Sequence, residues 1–167
     1  ESLSAEAYRL NIEKNRIKIE AGDIQGANHG LASLLQLIMT AKDAQLPVLT
    51  IQDKPAFGYR GLMLDCARHF WTVDELKETL DHMAFFKLNT LHMHLTDNQA
   101  WRLSMDKYPD LVKEGTYYYD FPELSGKYYS KEDLKEIVTY AGTRGIEIIP
   151  EVDLPGHSIA LLAALPE

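Results

Sequence analysis

The chain has 167 residues, 46% of them hydrophobic and 10% aromatic, enough to fill a core and too apolar for a disordered segment. Its formal charge of −8 and pI near 5.2 offer no basic stripe for a phosphate backbone, so nucleic acid is not an expected partner and a neutral ligand fits better. Cys66 is the only cysteine, which excludes an intrachain disulfide and a cysteine-built metal cluster, and no apolar run approaches the roughly 18 residues of a membrane span.

The amino-terminal portion predicts a small α/β unit. Tyr8–Ile12 and Arg16–Glu20 are strand candidates joined by Glu13-Lys14-Asn15, a hairpin-compatible spacing. Ala27–Thr40 then places Leu31, Leu34, Leu35, Ile38 and Met39 at helical intervals, the expected buried face of a helix. Pro47 precedes a further strand candidate, Val48–Gln52, and Asp53-Lys54-Pro55 has the composition of a linker. A domain boundary is therefore expected near residue 55, dividing a small unit over 1–55 from a second over 56–167.

Beyond residue 55 the rhythm is strand, helix, strand, helix, strand. Gly61–Asp65 is strand-like, and Thr72-Val73-Asp74-Glu75 has the capping-box form that opens a helix, whose inner face is expected to carry Leu76, Leu80, Met83 and Phe86. Asn89–Leu95 alternates Leu91, Met93 and Leu95 with His92 and His94, the period of a strand. Ser130-Lys131-Glu132-Asp133 repeats the cap before a helix bearing Leu134, Ile137, Val138 and Ala141. Ile146–Val152 is a nearly continuous apolar run, as expected of a strand covered on both faces. Such alternation implies parallel strands, and parallel strands place functional residues at their carboxyl ends.

Those three ends are chemically rich. They supply Asp65 with Arg68 and His69, then His94, Asp97 and Gln99, then Glu151, Asp153 and His157. Each has a plain alternative: Asp65 or Asp153 capping the next segment, His157 a loop residue satisfied by its neighbours. His92 and His94 share one strand face, which admits a buried hydrogen-bonded pair, a polar barrel interior or a metal site. In the metal reading a hydrolase would bind its ion through His92, His94, His157 and Asp153. Recurrence at three successive strand ends favours function over packing.

Tyr59-Arg60-Gly61-Leu62-Met63-Leu64-Asp65 with Arg68-His69-Phe70, then Lys87-Leu88-Asn89 with His92-x-His94-Leu95-x-Asp97, then Pro150-Glu151-x-Asp153-x-Pro155-Gly156-His157 resemble the family 20 glycoside hydrolases, the β-N-acetylhexosaminidases. Upstream, Glu6-Ala7-Tyr8-x-Leu10, the Leu31–Leu37 helix and Phe57-x-Tyr59-Arg60 resemble the small domain that precedes the barrel there. Similarity thus runs along essentially the whole chain.

The resemblance implies an α/β fold in which a small α/β domain is followed by the first three β/α units of a (β/α)8 TIM barrel. It also implies removal of terminal β-linked N-acetylglucosamine or N-acetylgalactosamine from a glycan or chitooligosaccharide, with no metal and no cofactor. In that chemistry the substrate's own acetamido oxygen attacks the anomeric carbon. By resemblance Arg60 binds the sugar hydroxyls, Asp97 and His157 form a carboxylate–imidazole pair supporting the acid, and Asp65, His94, Glu151 and Asp153 hold the loops. The adjacent Asp-Glu pair expected after a fourth barrel strand does not occur: the only such dipeptide, Asp74-Glu75, lies in a helix cap. A complete barrel needs about 250 residues, so the chain reads as a fragment that ends before its catalytic acid, inactive alone and prone to self-association through open barrel edges. Met93, often Trp in the family, and Asn98, often Asp, depart from its pattern. Similar enzymes act in secreted, periplasmic and lysosomal settings, which leaves the compartment open. A non-catalytic carbohydrate-binding module is the remaining alternative for these residues alone.

Overall fold

A computed structural model describes residues 3–116 and 125–165. It contains two three-stranded sheets, each backed by helix. In the first, β1 (Tyr8–Glu13) lies between β2 (Arg16–Ala21) and β3 (Leu49–Asp53), antiparallel to both. Tyr8, Leu10 and Ile12 alternate with polar residues along β1 and form a small core with Ile19, Leu34, Leu37 and Ile51. Arg9 pairs with Gln52 and Asn11 with Thr50 on the opposite face.

The helix α1 (Ile24–Thr40) starts earlier than its apolar pattern suggests, because the Asp23 carboxylate accepts from Gly26 N at 2.8 Å and caps it. Its buried face also differs from the expected one. Gly26, His29, Gly30, Ala32 and Ser33 face the sheet and its neighbours, whereas Leu31, Leu35, Ile38 and Met39 are exposed. Close approach explains this: a Cβ on Gly30 would lie 2.7 Å from Ile19 Cγ2, and one on Gly26 2.4 Å from the Ala7 carbonyl oxygen. Hydrogen bonds replace apolar bulk on that face, Ser33 Oγ to Tyr8 OH at 2.6 Å and His29 Nδ1 to Glu6 O at 3.2 Å. Leu31 and Leu35 instead line a groove of about 440 Å³ with Ala84, Phe85 and Leu88.

The second sheet runs β4 (Gly61–Asp65), β5 (Thr90–His94), β6 (Glu147–Glu151), all parallel with β5 central. Between them come α2 (Val73–Phe85), the short α3 (Asp110–Lys113) and α4 (Lys131–Gly142), and α5 (Ile159–Ala164) follows. Thr72 and Ser130 form the expected capping boxes with Glu75 and Asp133. Leu76, Leu80 and Met83 of α2 meet Ile137 and Ala141 of α4 over Leu91, Met93 and Leu95. Phe86 is excluded from this face; it terminates α2 and is exposed. The apolar run of β6 is covered less than expected, since Ile149 and Val152 remain accessible, as befits an edge strand.

Because side chains alternate along a strand, the burial of Leu91 and Met93 under helices turns Thr90, His92 and His94 to the other face. Register then fixes the chemistry. Asp65, His94 and Glu151 are partners across the three strands and form one row at their carboxyl ends.

Candidate active site

Each strand end is shaped by local hydrogen bonding. Asp65 closes the turn after β4, its Oδ1 accepting from Ala67 N at 3.1 Å and Arg68 N at 2.9 Å. Cys66 N and Ala67 N donate to His94 O at 3.0 and 3.1 Å, tying this turn to β5. The fully buried Arg102 guanidinium clamps it from behind, donating twice to Ala67 O and once to Lys127 O. After β5, Asp97 N donates to Ala100 O at 2.9 Å, turning the Thr96–Ala100 segment back. After β6, Asp153 N donates to Thr96 Oγ1 at 3.0 Å and Ile159 N to Asn98 Oδ1 at 3.3 Å, so the second and third loops are joined.

The side chains converge on Asp97, which is only 1% exposed. Its Oδ2 accepts from His94 Nε2 at 2.8 Å and from Arg68 Nη2 at 2.5 Å; its Oδ1 accepts from Asn98 N at 2.6 Å and His157 Nδ1 at 3.1 Å. Arg68 also donates to Asp65 Oδ2 at 2.7 Å. On the far side of His94, Nδ1 meets Glu151 Oε1 at 2.6 Å, and the other Glu151 oxygen contacts His92 Nε2. His157 is held in the left-handed backbone region at φ 53°, a conformation few non-glycine residues adopt outside constrained sites. With 49% of its side chain exposed and Nδ1 taken by Asp97, its Nε2 is available to a further group.

Burial disfavours the charged form of Asp97, but His94, the Asn98 amide, His157 and Arg68 outweigh it and hold the carboxyl below its usual range. Glu151 is likewise lowered: burial opposes ionisation, and His94 with His92 overcomes it. His94 moves the other way, its burial outweighed by the two flanking carboxylates, so that its proton is held above the ordinary imidazole range.

Six of the seven residues singled out from the sequence therefore meet here: Asp65, His94, Asp97, Glu151, Asp153 and His157. Arg60 does not. It precedes β4 whereas the site follows it, and five residues of strand separate the two ends by roughly 17 Å. Its side chain is 15% exposed and points into the junction with the first sheet, donating to Lys87 O at 2.8 Å, Phe57 O at 2.7 Å and the Glu6 carboxylate. Arg68 is the guanidinium at the site, and the rule that parallel strands work at their carboxyl ends singles it out over Arg60.

His94, Glu151 and Asp153 each bring one potential metal-ligand atom within 4.8 Å of the others. Both His94 nitrogens already face carboxylate oxygens, so an ion there would have to break one of those bonds.

The cluster is thus a buried carboxylate gripping an imidazole at the carboxyl ends of three parallel strands, beside an accessible guanidinium. Residues 57–167 match the model of the glycosyl hydrolase family 20 catalytic domain and residues 1–54 that of the same family's domain 2; the chain belongs to glycosyl hydrolase family 20. It is 40% identical to a beta-hexosaminidase of Vibrio furnissii across 99% of the chain and 29% of that protein. Among solved structures, a beta-N-acetylhexosaminidase of Bacteroides fragilis superposes with a TM-score of 0.92 at 36% identity, covering 99% of this chain and 34% of that one. The GH20 exo beta-N-acetylglucosaminidase of Vibrio harveyi, solved with N-acetylglucosamine, gives 0.91 at 40% identity over 98% and 28%. The chain thus spans about a third or less of the length of these relatives. Its fold is a small α/β layer followed by the first three β/α units of their barrel.

Proposed function

We propose that the complete protein removes terminal, non-reducing β-linked N-acetylhexosamine from glycans or chitooligosaccharides, and that the cluster around Asp97 is the part of its active site carried by this chain. The observation supporting this is the Asp97–His157 pair, set beside Arg68 at the carboxyl ends of β4, β5 and β6. In substrate-assisted hydrolysis the acetamido oxygen forms the new bond to the anomeric carbon while the glycosidic oxygen leaves with a proton from an enzyme acid. An attached nucleophile avoids the entropy of recruiting a separate one.

Within that scheme Asp97 fixes the tautomer and orientation of His157 by accepting from Nδ1, and His157 presents Nε2 to the acid. Arg68, with donors in a fixed fork and 45% of its side chain exposed, reaches the vicinal hydroxyls of the terminal sugar. Asp65 aims Arg68 through the 2.7 Å bond. The acid itself is supplied by another part of the protein, because Asp74-Glu75 is occupied in the α2 cap, where the Glu75 carboxylate binds Thr72 N and Oγ1 at 2.7 and 2.8 Å.

Steady-state hydrolysis of an aryl N-acetyl-β-glucosaminide by the full-length protein tests this reading. Losing charge-assisted hydrogen bonds of about 1.5–3 kcal/mol predicts that Arg68→Ala lowers kcat/KM roughly ten- to a hundredfold. Unchanged kinetics in that variant contradict the proposed role.

A further inference from the structure

We infer that His94 is held as an imidazolium ion and acts as a positioning residue: a buried cation shared by Asp97 and Glu151 that keeps Asp97 ionised and able to grip His157. The inference rests on the proposed hydrolase reading for its catalytic consequence, but its geometric basis is independent of it.

The basis is proton counting. A neutral imidazole carries one N–H and one bare nitrogen, so it can donate to only one of two flanking carboxylates. His94 has a carboxylate oxygen at 2.6 Å from Nδ1 and another at 2.8 Å from Nε2, and two ionised carboxylates can both be satisfied only if both nitrogens carry hydrogen. Within the trio of His94, Asp97 and Glu151 the spare proton has no better position. Asp97 already accepts from Arg68, Asn98 and His157, and taking the proton would neutralise the charge that strengthens all three bonds. Glu151 Oε2 faces His92 and accepts there when ionised.

The surrounding charges point the same way. His94 is bracketed by Asp65 and Arg68 from the β4 end, by Glu151, Asp153 and His157 from β6 and its loop, and by His92 and Asp97 from its own strand and the following loop. Four carboxylates thus stand against one guanidinium, and a protonated His94 offsets part of the excess where burial makes it most costly. The helices α2 and α4 contribute nothing charged here, since they cover the opposite face through Leu91 and Met93. The catalytic pair thereby becomes the outer end of a chain of alternating imidazoles and carboxylates, His92–Glu151–His94–Asp97–His157.

The test is a side-chain spectrum of the full-length protein labelled with ¹⁵N-histidine, with the His94 signals assigned by their loss in His94→Gln. Two protonated ring nitrogens at pH 7 are expected; one protonated and one bare nitrogen at that pH overturns the inference. Glutamine fills similar space without charge, so the acidic limb of the kcat/KM profile of His94→Gln should move up by about one pH unit as Asp97 loses its counter-charge, with KM little changed. An unmoved limb overturns the positioning role. Should His94→Gln fail to fold, the wild-type signals are assigned instead by through-bond correlation of the ring to the His94 backbone, and a ring with one bare nitrogen at pH 7 still contradicts the inference. A wrong hydrolase reading shows separately, as absent turnover with the doubly protonated ring intact.

Discussion

Arg60 and Arg68 are both flanked by motif residues, and only their position relative to β4 separates them. Arg60 spends its donors on Glu6 and on backbone carbonyls where the two sheets meet, a structural role that motif resemblance alone cannot distinguish from ligand binding. His94 makes a related point, because the identity of a histidine on a strand face says nothing of what its two nitrogens meet. The pH dependence of stability follows from the directions of its shifts. Asp97 and Glu151 have lowered affinities in the folded state, so their contribution is present above the ordinary carboxylate range and is lost as pH falls through the depressed values. His94 has a raised affinity, so its contribution is complete below the ordinary imidazole value and declines as pH rises through the elevated one. Thermal midpoints of the full-length protein should therefore be highest in mildly acidic buffer and fall on both sides, and His94→Gln should abolish the decline on the alkaline side. A midpoint that keeps rising past neutrality would contradict these assignments.

At the scale of elements, the sequence was most legible where one periodicity and one cap agree. The α2 and α4 boxes at Thr72 and Ser130 and the alternation in Asn89–Leu95 each give the observed element. Legibility fails in α1, where the apolar stripe Leu31, Leu35, Ile38 and Met39 is outward and a stripe of glycine, serine and histidine is inward. Hydrophobic periodicity weighs bulk, whereas this interface is built on backbone proximity. Gly30→Ala tests that explanation: a methyl group 2.7 Å from Ile19 Cγ2 and 3.2 Å from Tyr8 Cδ2 should cost about 1–3 kcal/mol in denaturant unfolding, despite the better helix propensity of alanine. A stabilised variant would show that the helix is free to move. In β6 a continuous apolar run signals the observed strand without telling whether a neighbour covers Ile149 and Val152.

At the scale of the molecule, β4 and β6 are the edges of the parallel sheet, and Leu62, Met63 and Ile149 on them are exposed together with the outer stripe of α1. Unpaired strand edges flanked by apolar side chains invite pairing with other chains. The 167-residue chain alone should therefore self-associate as its concentration rises, measurable by light scattering; a monodisperse monomer with a sharp thermal transition would count against this. The same geometry explains how much of the candidate site is legible: three successive strand ends carry the residues that hold His157 and Arg68. The most direct measurement is turnover of an aryl N-acetyl-β-glucosaminide by the full-length protein and its Asp97→Asn variant. An amide cannot hold His157 by charge, and proton transfer assisted by a positioned side chain is worth about 10²–10⁴-fold. The full-length protein should turn the substrate over, with kcat reduced on the order of a hundredfold by Asp97→Asn. Absence of turnover in the full-length protein, or full activity in the variant, would contradict it.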